Sequence, residues 1–193
     1  LQRVTVGDPA DFGTFFGAVI DRPAYENIVG FIDHADRSED AEIIAGGGRD
    51  DSKGWFIEPT VVLTTNPRHR LMEEEIFGPV LTIHVYPDGK WAETLQLVDG
   101  TSPYGLTGAV FGRDRLAVHQ AYRVLRHAAG NFYVNDKPTG AVVGLQPFGG
   151  SRGSGTNDKA GSLLNLLRWV TPRTIKENFV PPHRIEYPHM ESG

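Results

Sequence analysis

Over residues 24–35, AYENIVGFIDHA, apolar side chains recur at helical spacing and put Ile28, Phe31, Ile32 and Ala35 on one face. Pro23 stands just ahead, where a first-turn proline is tolerated because its missing N–H would have no helical partner. The period then changes. Ile43, Ile44 and Ala45 form a short apolar run that halts at Gly46, Gly47 and Gly48. WFIEPTVVLTT (55–65) is rich in β-branched and aromatic residues and predicts extended chain, with an edge position or an irregularity at Pro59. VLTIHVY (80–86) predicts a further strand. KWAETLQLVDG predicts a helix with Trp91, Leu95 and Val98 inward and Gly100 as its stop. LTGAVFG (106–112) again reads as strand. The helix after it has Asp114 as N-cap, Leu116, Ala117, Ala121, Val124 and Leu125 inward, and Gly130 as its end. NFYVN (131–135) returns to strand character.

Strand, helix, strand, helix, strand in units of this length predicts an α/β fold with βαβ crossovers and a parallel sheet. Residues 1–167 form this body. Residues 168–178 are β-branched and predict an extended strand leaving the domain, and a Pro-rich tail fills 179–193. Such an arm tends to pair with a neighbouring sheet, because an unpaired strand edge is a liability.

The chain has 193 residues, 39% of them hydrophobic and 22% charged, which is enough for a domain with a buried core. A net charge of -5 gives no basic face for nucleic acid. No apolar run has the length of a membrane span. There is no cysteine, which excludes disulfides, thiolate metal sites and a thiol nucleophile within these residues. The seven histidines show no metal spacing; His119 and His127 are eight apart on a helix that needs its apolar face. The N-terminus has no targeting pattern and does not begin with Met, which fits a processed or partial chain.

PFGGSRGSGTN (147–157) invites two chemical readings. Ser151 satisfies G-x-S-x-G, with Asp158, His183 and His189 following in the order of an α/β-hydrolase triad. A nucleophile elbow needs a strand before the serine and a helix after it, whereas Pro147 and a run of small residues flank this one. Gly150 and Gly155 have phosphate-loop spacing, but Thr156 and Asn157 stand where Lys and Ser/Thr are required. A tight glycine loop beside a site is the plainer account.

The neighbours of that loop carry a resemblance. EEIFGPV (74–80), YGLTGAVF (104–111), GNFYVND (130–136) and QPFGGSRGSG (146–155) resemble, in order and spacing, the C-terminal half of the catalytic region in the aldehyde dehydrogenase superfamily. VGDPADFGTFFGAVID, VYPDGKWAETLQLVD and the TNDK after the glycines are most similar to the branch that oxidises L-glutamate γ-semialdehyde to glutamate in proline catabolism. The resemblance implies the parallel-sheet catalytic domain of that fold, NAD as cofactor, a small-molecule substrate, and homo-oligomers formed through the C-terminal strand. It implies bacterial cytoplasm or mitochondrial matrix without choosing between them.

It also implies residue roles. Glu75 would bond the nicotinamide ribose and Phe77 would pack near the nicotinamide ring, whereas Glu73 and Glu74 read as a solvated acidic face. For Phe77 the competing reading is ordinary core packing. Gly140 and Ala141 would hold the substrate's α-carboxylate on their backbone N–H groups, a geometry suited to anions. Phe148 would pack on the aliphatic part of the substrate. The nucleophilic cysteine, the glutamate base and the oxyanion asparagine of the superfamily would all precede Leu1. The expectation is therefore a fragment of an enzyme, inactive alone. The alternatives are a non-catalytic binding or interaction module of the same fold, and, weakest, a serine hydrolase using Ser151.

Overall fold

A computed structural model describes residues 1, 3–142, 144–155 and 159–190. Asp21 opens the first helix, α1 (Arg22–Arg37), by accepting the Ala24 N–H at 2.9 Å on its side chain. Ile28, Phe31, Ile32 and Ala35 are buried, as the helical spacing predicts. Against them packs a sheet built from β1 (Ala41–Ala45) and, after the short hairpin β2 (Arg49–Asp50) and β3 (Phe56–Ile57), from β4 (Thr60–Thr64). A single helical turn, α2 (Arg70–Glu73), leads to β5 (Val80–His84). The order is β1-β4-β5, so β4 is central, with Thr60, Val62 and Thr64 buried by the period-two alternation of a strand.

Of the two alternatives at Pro59 the structure shows the irregularity: Pro59 lies in the break between β3 and β4, where no ladder hydrogen bond is required of it. The expectation of a parallel sheet is corrected. The sheet is mixed, since β4 and β5 are parallel but β1 is antiparallel to β4, with its register shifted between Ile43 and Ala45.

The second half repeats the theme. α3 (Trp91–Asp99) ends at Gly100, then β6 (Tyr104–Gly105) and β7 (Thr107–Val110) follow. Asp114 caps α4 (Arg115–Val124), accepting the Leu116 N–H at 2.8 Å, and β8 (Asn131–Val134) runs parallel to β7. This β7-α4-β8 unit is the crossover the periodicity predicts. Leu95, Ala121 and Leu125 are its buried centre. Leu116 and Val98, expected inward, are exposed at 82% and 49%. Leu116 sits in the first turn of α4, and Val98 in the last turn of α3, beyond the reach of that small core.

A two-residue strand, β9 (Ser151–Arg152), pairs antiparallel with β6. After α5 (Leu163–Leu166) the chain makes a 3-10 turn over Leu167–Trp169. Within this single chain Arg168 and Trp169 belong to that turn, and 170–178 is exposed chain with no assigned pairing, so the arm expected at 168–178 has no strand partner among the described residues. Among the described residues no helix is long and apolar enough to cross a membrane, and no cluster of His, Asp and Glu could hold a metal ion.

Candidate functional site

The glycine stretch resolves the serine question first. Ser151 lies in β9 opposite Gly105, and a turn through Gly153 and Ser154 follows, not a helix. His183 and His189 are on the exposed tail, where His189 stacks on Tyr187 at 5.8 Å. Asp158 lies outside the described residues, as do Thr156 and Asn157. Among the described residues no strand-turn-helix of the kind an elbow requires is formed at Ser151.

What the stretch does form is one wall of a cavity of about 390 Å³ between the start of β7 and the loop 138–148. Gly140, Ala141 and Phe148, three residues singled out from the sequence, all line it, together with Thr107, Gln146 and Ala160. The loop is held by its own polar groups. Gln146 Oε1 accepts the Val142 N–H at 3.1 Å, and the Gln146 N–H donates back to the Val142 carbonyl at 2.9 Å. Gly140 sits at φ +74°, a backbone conformation that suits a residue without Cβ. Among the described residues the N–H groups of Gly140 and Ala141 have no acceptor. The Lys137 ammonium is beside them, 3.7 Å from where a Cβ on Gly140 would be. Unpaired amides next to a cation make a place for a carboxylate.

Phe148 is half-buried. Its N–H donates to the Ala160 carbonyl at 2.9 Å, an isolated antiparallel bridge that ties the wall to the chain following the glycines. Sequence reading did not select Thr107, Gln146 or Ala160. The small pair Ala160 and Gly161 directly after TNDK was the one available signal.

A larger groove of about 490 Å³ runs along α4 between Leu116, His119, Tyr122 and Arg126. Its lining comes from α4 and the turn that ends it. No residue assigned a substrate or cofactor role from the sequence lines it, so the smaller cavity is the candidate site.

Glu75 and Phe77 do not line that cavity. They flank buried Ile76, which anchors their segment in the first core cluster. Glu73 is paired with Arg68 at 3.2 Å and Glu74 with Arg70 at 2.7 Å. The hydrogen bonds from Arg70 hold the Glu74 carboxyl below its usual range. Glu75 is exposed and has no partner among the described residues. Phe77 is 84% exposed and has φ +54°, an uncommon backbone for a residue with a Cβ. It is not core in this chain. A free carboxylate and a presented aromatic face suit a ligand carrying vicinal hydroxyls and a flat ring.

The position of this segment depends on His69. Buried at 4% exposure, His69 caps α2 by accepting the Leu71 N–H on Nδ1 at 3.2 Å, while Nε2 meets Ser38 Oγ at 3.2 Å. The ring thereby links the end of α1 to the turn that delivers Glu75.

Comparison with known proteins places this geometry. The family model described as Aldehyde dehydrogenase family matches residues 1–175. The delta-1-pyrroline-5-carboxylate dehydrogenase of Dictyostelium discoideum, a mitochondrial protein, is 59% identical over 98% of this chain and 34% of its own length. The mitochondrial enzyme of the same name from Homo sapiens is 55% identical over 98% and 34%. The crystal structure of the Mycobacterium tuberculosis Delta-pyrroline-5-carboxylate dehydrogenase bound with NAD superposes with a TM-score of 0.87 at 51% identity, covering 98% of this chain and 34% of that one. This chain thus spans about a third of the length of these relatives.

Proposed function

The chain belongs to the aldehyde dehydrogenase family, and from that premise we propose that it is the substrate-anchoring third of an NAD-dependent enzyme oxidising L-glutamate γ-semialdehyde to glutamate. The observation that carries the reading is the meeting of Gly140, Ala141 and Phe148 around one cavity, with two amides that have no acceptor among the described residues and the Lys137 side chain next to Gly140. The substrate has matching parts. Its α-carboxylate would accept from the Gly140 and Ala141 amides, and its methylenes would lie on Phe148. The aldehyde would then point out of the cavity toward the nucleophile, which the remaining two thirds of the enzyme would supply.

Glu75 would accept hydrogen bonds from the ribose hydroxyls of NAD, and Phe77 would limit the positions open to the nicotinamide. Bound NAD supplies a hydride acceptor there. The contribution of this chain is orientation: it fixes both ends of a short substrate so that chemistry at the aldehyde proceeds from one geometry. The relatives named above include mitochondrial and bacterial enzymes, and the same reading applies in either setting.

Ala141→Phe in the intact enzyme tests the anchor. Bulk at that position blocks the amides but leaves Glu75 and Phe77 untouched. The Michaelis constant for the semialdehyde should rise by at least about tenfold and that for NAD by less than about twofold. Equal effects on both constants would remove the carboxylate anchor from Gly140 and Ala141.

A further inference from the structure

We propose that Asn131, seconded by Lys159, is a positioning residue that sets the depth of the substrate cavity by gripping the backbone on both sides of Phe148. The inference rests on the reading of Phe148 as the wall facing the substrate's aliphatic part. Asn131 is the first residue of β8, paired with Thr107 of β7, which itself lines the cavity. Its Nδ2 donates to the Pro147 carbonyl at 3.1 Å, and its Oδ1 accepts the Gly149 N–H at 3.2 Å. The residue before and the residue after Phe148 are thus held by one side chain. The donor faces a carbonyl and the acceptor faces an N–H, so the contacts themselves fix the orientation of the amide.

Lys159 closes the arrangement from the other side. Its Nζ donates to the Gly130 carbonyl at 3.3 Å and to the Gly149 carbonyl at 3.2 Å. The next residue, Ala160, receives the Phe148 N–H. Phe148 therefore has little freedom: its own N–H and the peptide groups on either side are all tied to β8 or to the strand-like segment at 159–160. In an ordinary sheet a neighbouring backbone would provide such bonds. Here the bidentate amide of Asn131 takes the place of a strand neighbour, and it leaves the Phe148 ring free to face the cavity.

A side chain that grips a loop by two neutral hydrogen bonds can alter substrate selectivity without touching substrate. The test is a double-mutant cycle in the intact enzyme, using Asn131→Leu, Phe148→Ala and the pair, read as Michaelis constants for aldehyde and for NAD. Asn131→Leu should raise the aldehyde constant about tenfold with the NAD constant within about twofold. Adding it to Phe148→Ala should raise the aldehyde constant no further, because interacting residues are non-additive. Additive effects, or an equal rise in both constants, would overturn the proposal.

Asn131→Asp is the milder variant should Asn131→Leu fail to fold. It keeps the acceptor for the Gly149 N–H but sets a carboxylate oxygen against the Pro147 carbonyl, so it should show the same split between constants. Should the wild-type enzyme oxidise another short aldehyde and not the semialdehyde, the substrate assignment falls. The cycle run on that aldehyde still decides the role of Asn131. A Phe148→Ala enzyme with an unchanged aldehyde constant would overturn both the wall and its clamp.

Discussion

At the scale of single residues, the cavity depends on one close crossing. A Cβ on Gly130 would lie 1.9 Å from the Gly149 carbonyl oxygen, so the start of β8 and the glycine stretch approach as only glycine permits. Gly130→Ala must push the two segments apart, which also pulls Gly149 from Asn131 and Lys159. The expected cost is about 2–4 kcal/mol, measured by urea denaturation of the intact enzyme. A loss under about 0.5 kcal/mol would mean that the crossing relaxes freely. From the sequence Gly130 reads as a helix end, which is a local role. Its contact with Gly149 is long-range, and nothing in the pattern around either residue records it. Asn131 was hidden for the same reason, standing in GNFYVN as one more strand residue. Gly140, Ala141 and Phe148 were legible only through the family resemblance of their motifs.

At the scale of elements, legibility followed periodicity. α1 and α4 appear where the 3.6-residue spacing of apolar side chains places them, and the capping role of Asp114 was readable from one residue and its position. Asp114→Ala should cost about 1 kcal/mol, since the Leu116 and Ala117 amides lose their acceptor; Asp114→Asn should restore most of it. Thermal denaturation of the three proteins side by side measures this, and equal midpoints would show that α4 is held by its packing alone. Strand direction was less legible than strand existence. The alternation in β1 and β4 is the same for a parallel or an antiparallel neighbour, so the mixed sheet could not be separated from an all-parallel one. The segment at 168–178 shows the limit most plainly. Its β-branched residues favour extension, but a strand exists only where an edge pairs with it, and among the described residues of this single chain no edge does so.

At the scale of the whole molecule, the surface itself argues for a larger protein. A self-contained monomer of 21.2 kDa should expose about 9,000 Å², whereas this chain exposes 14523 Å². Much of the excess is apolar: Phe77, Trp169, Ile175, Phe179 and Ile185 are each more than three-quarters exposed. Apolar surface on that scale is normally covered by other protein. This agrees with a chain that spans 34% of its relatives' length, and it sets an expectation for the piece in isolation. Purified alone, the 193-residue chain should associate at micromolar concentration and bind a hydrophobic dye. It should also form no NADH from glutamate semialdehyde and NAD, because without a cysteine it has no thiol to attack the aldehyde. Size-exclusion chromatography and the absorbance of NADH read the two halves of this expectation separately. A dye-negative monomer would show that the exposed apolar surface needs no partner, whereas measurable NADH from that monomer would move the chemistry, and not only the anchoring, into these residues.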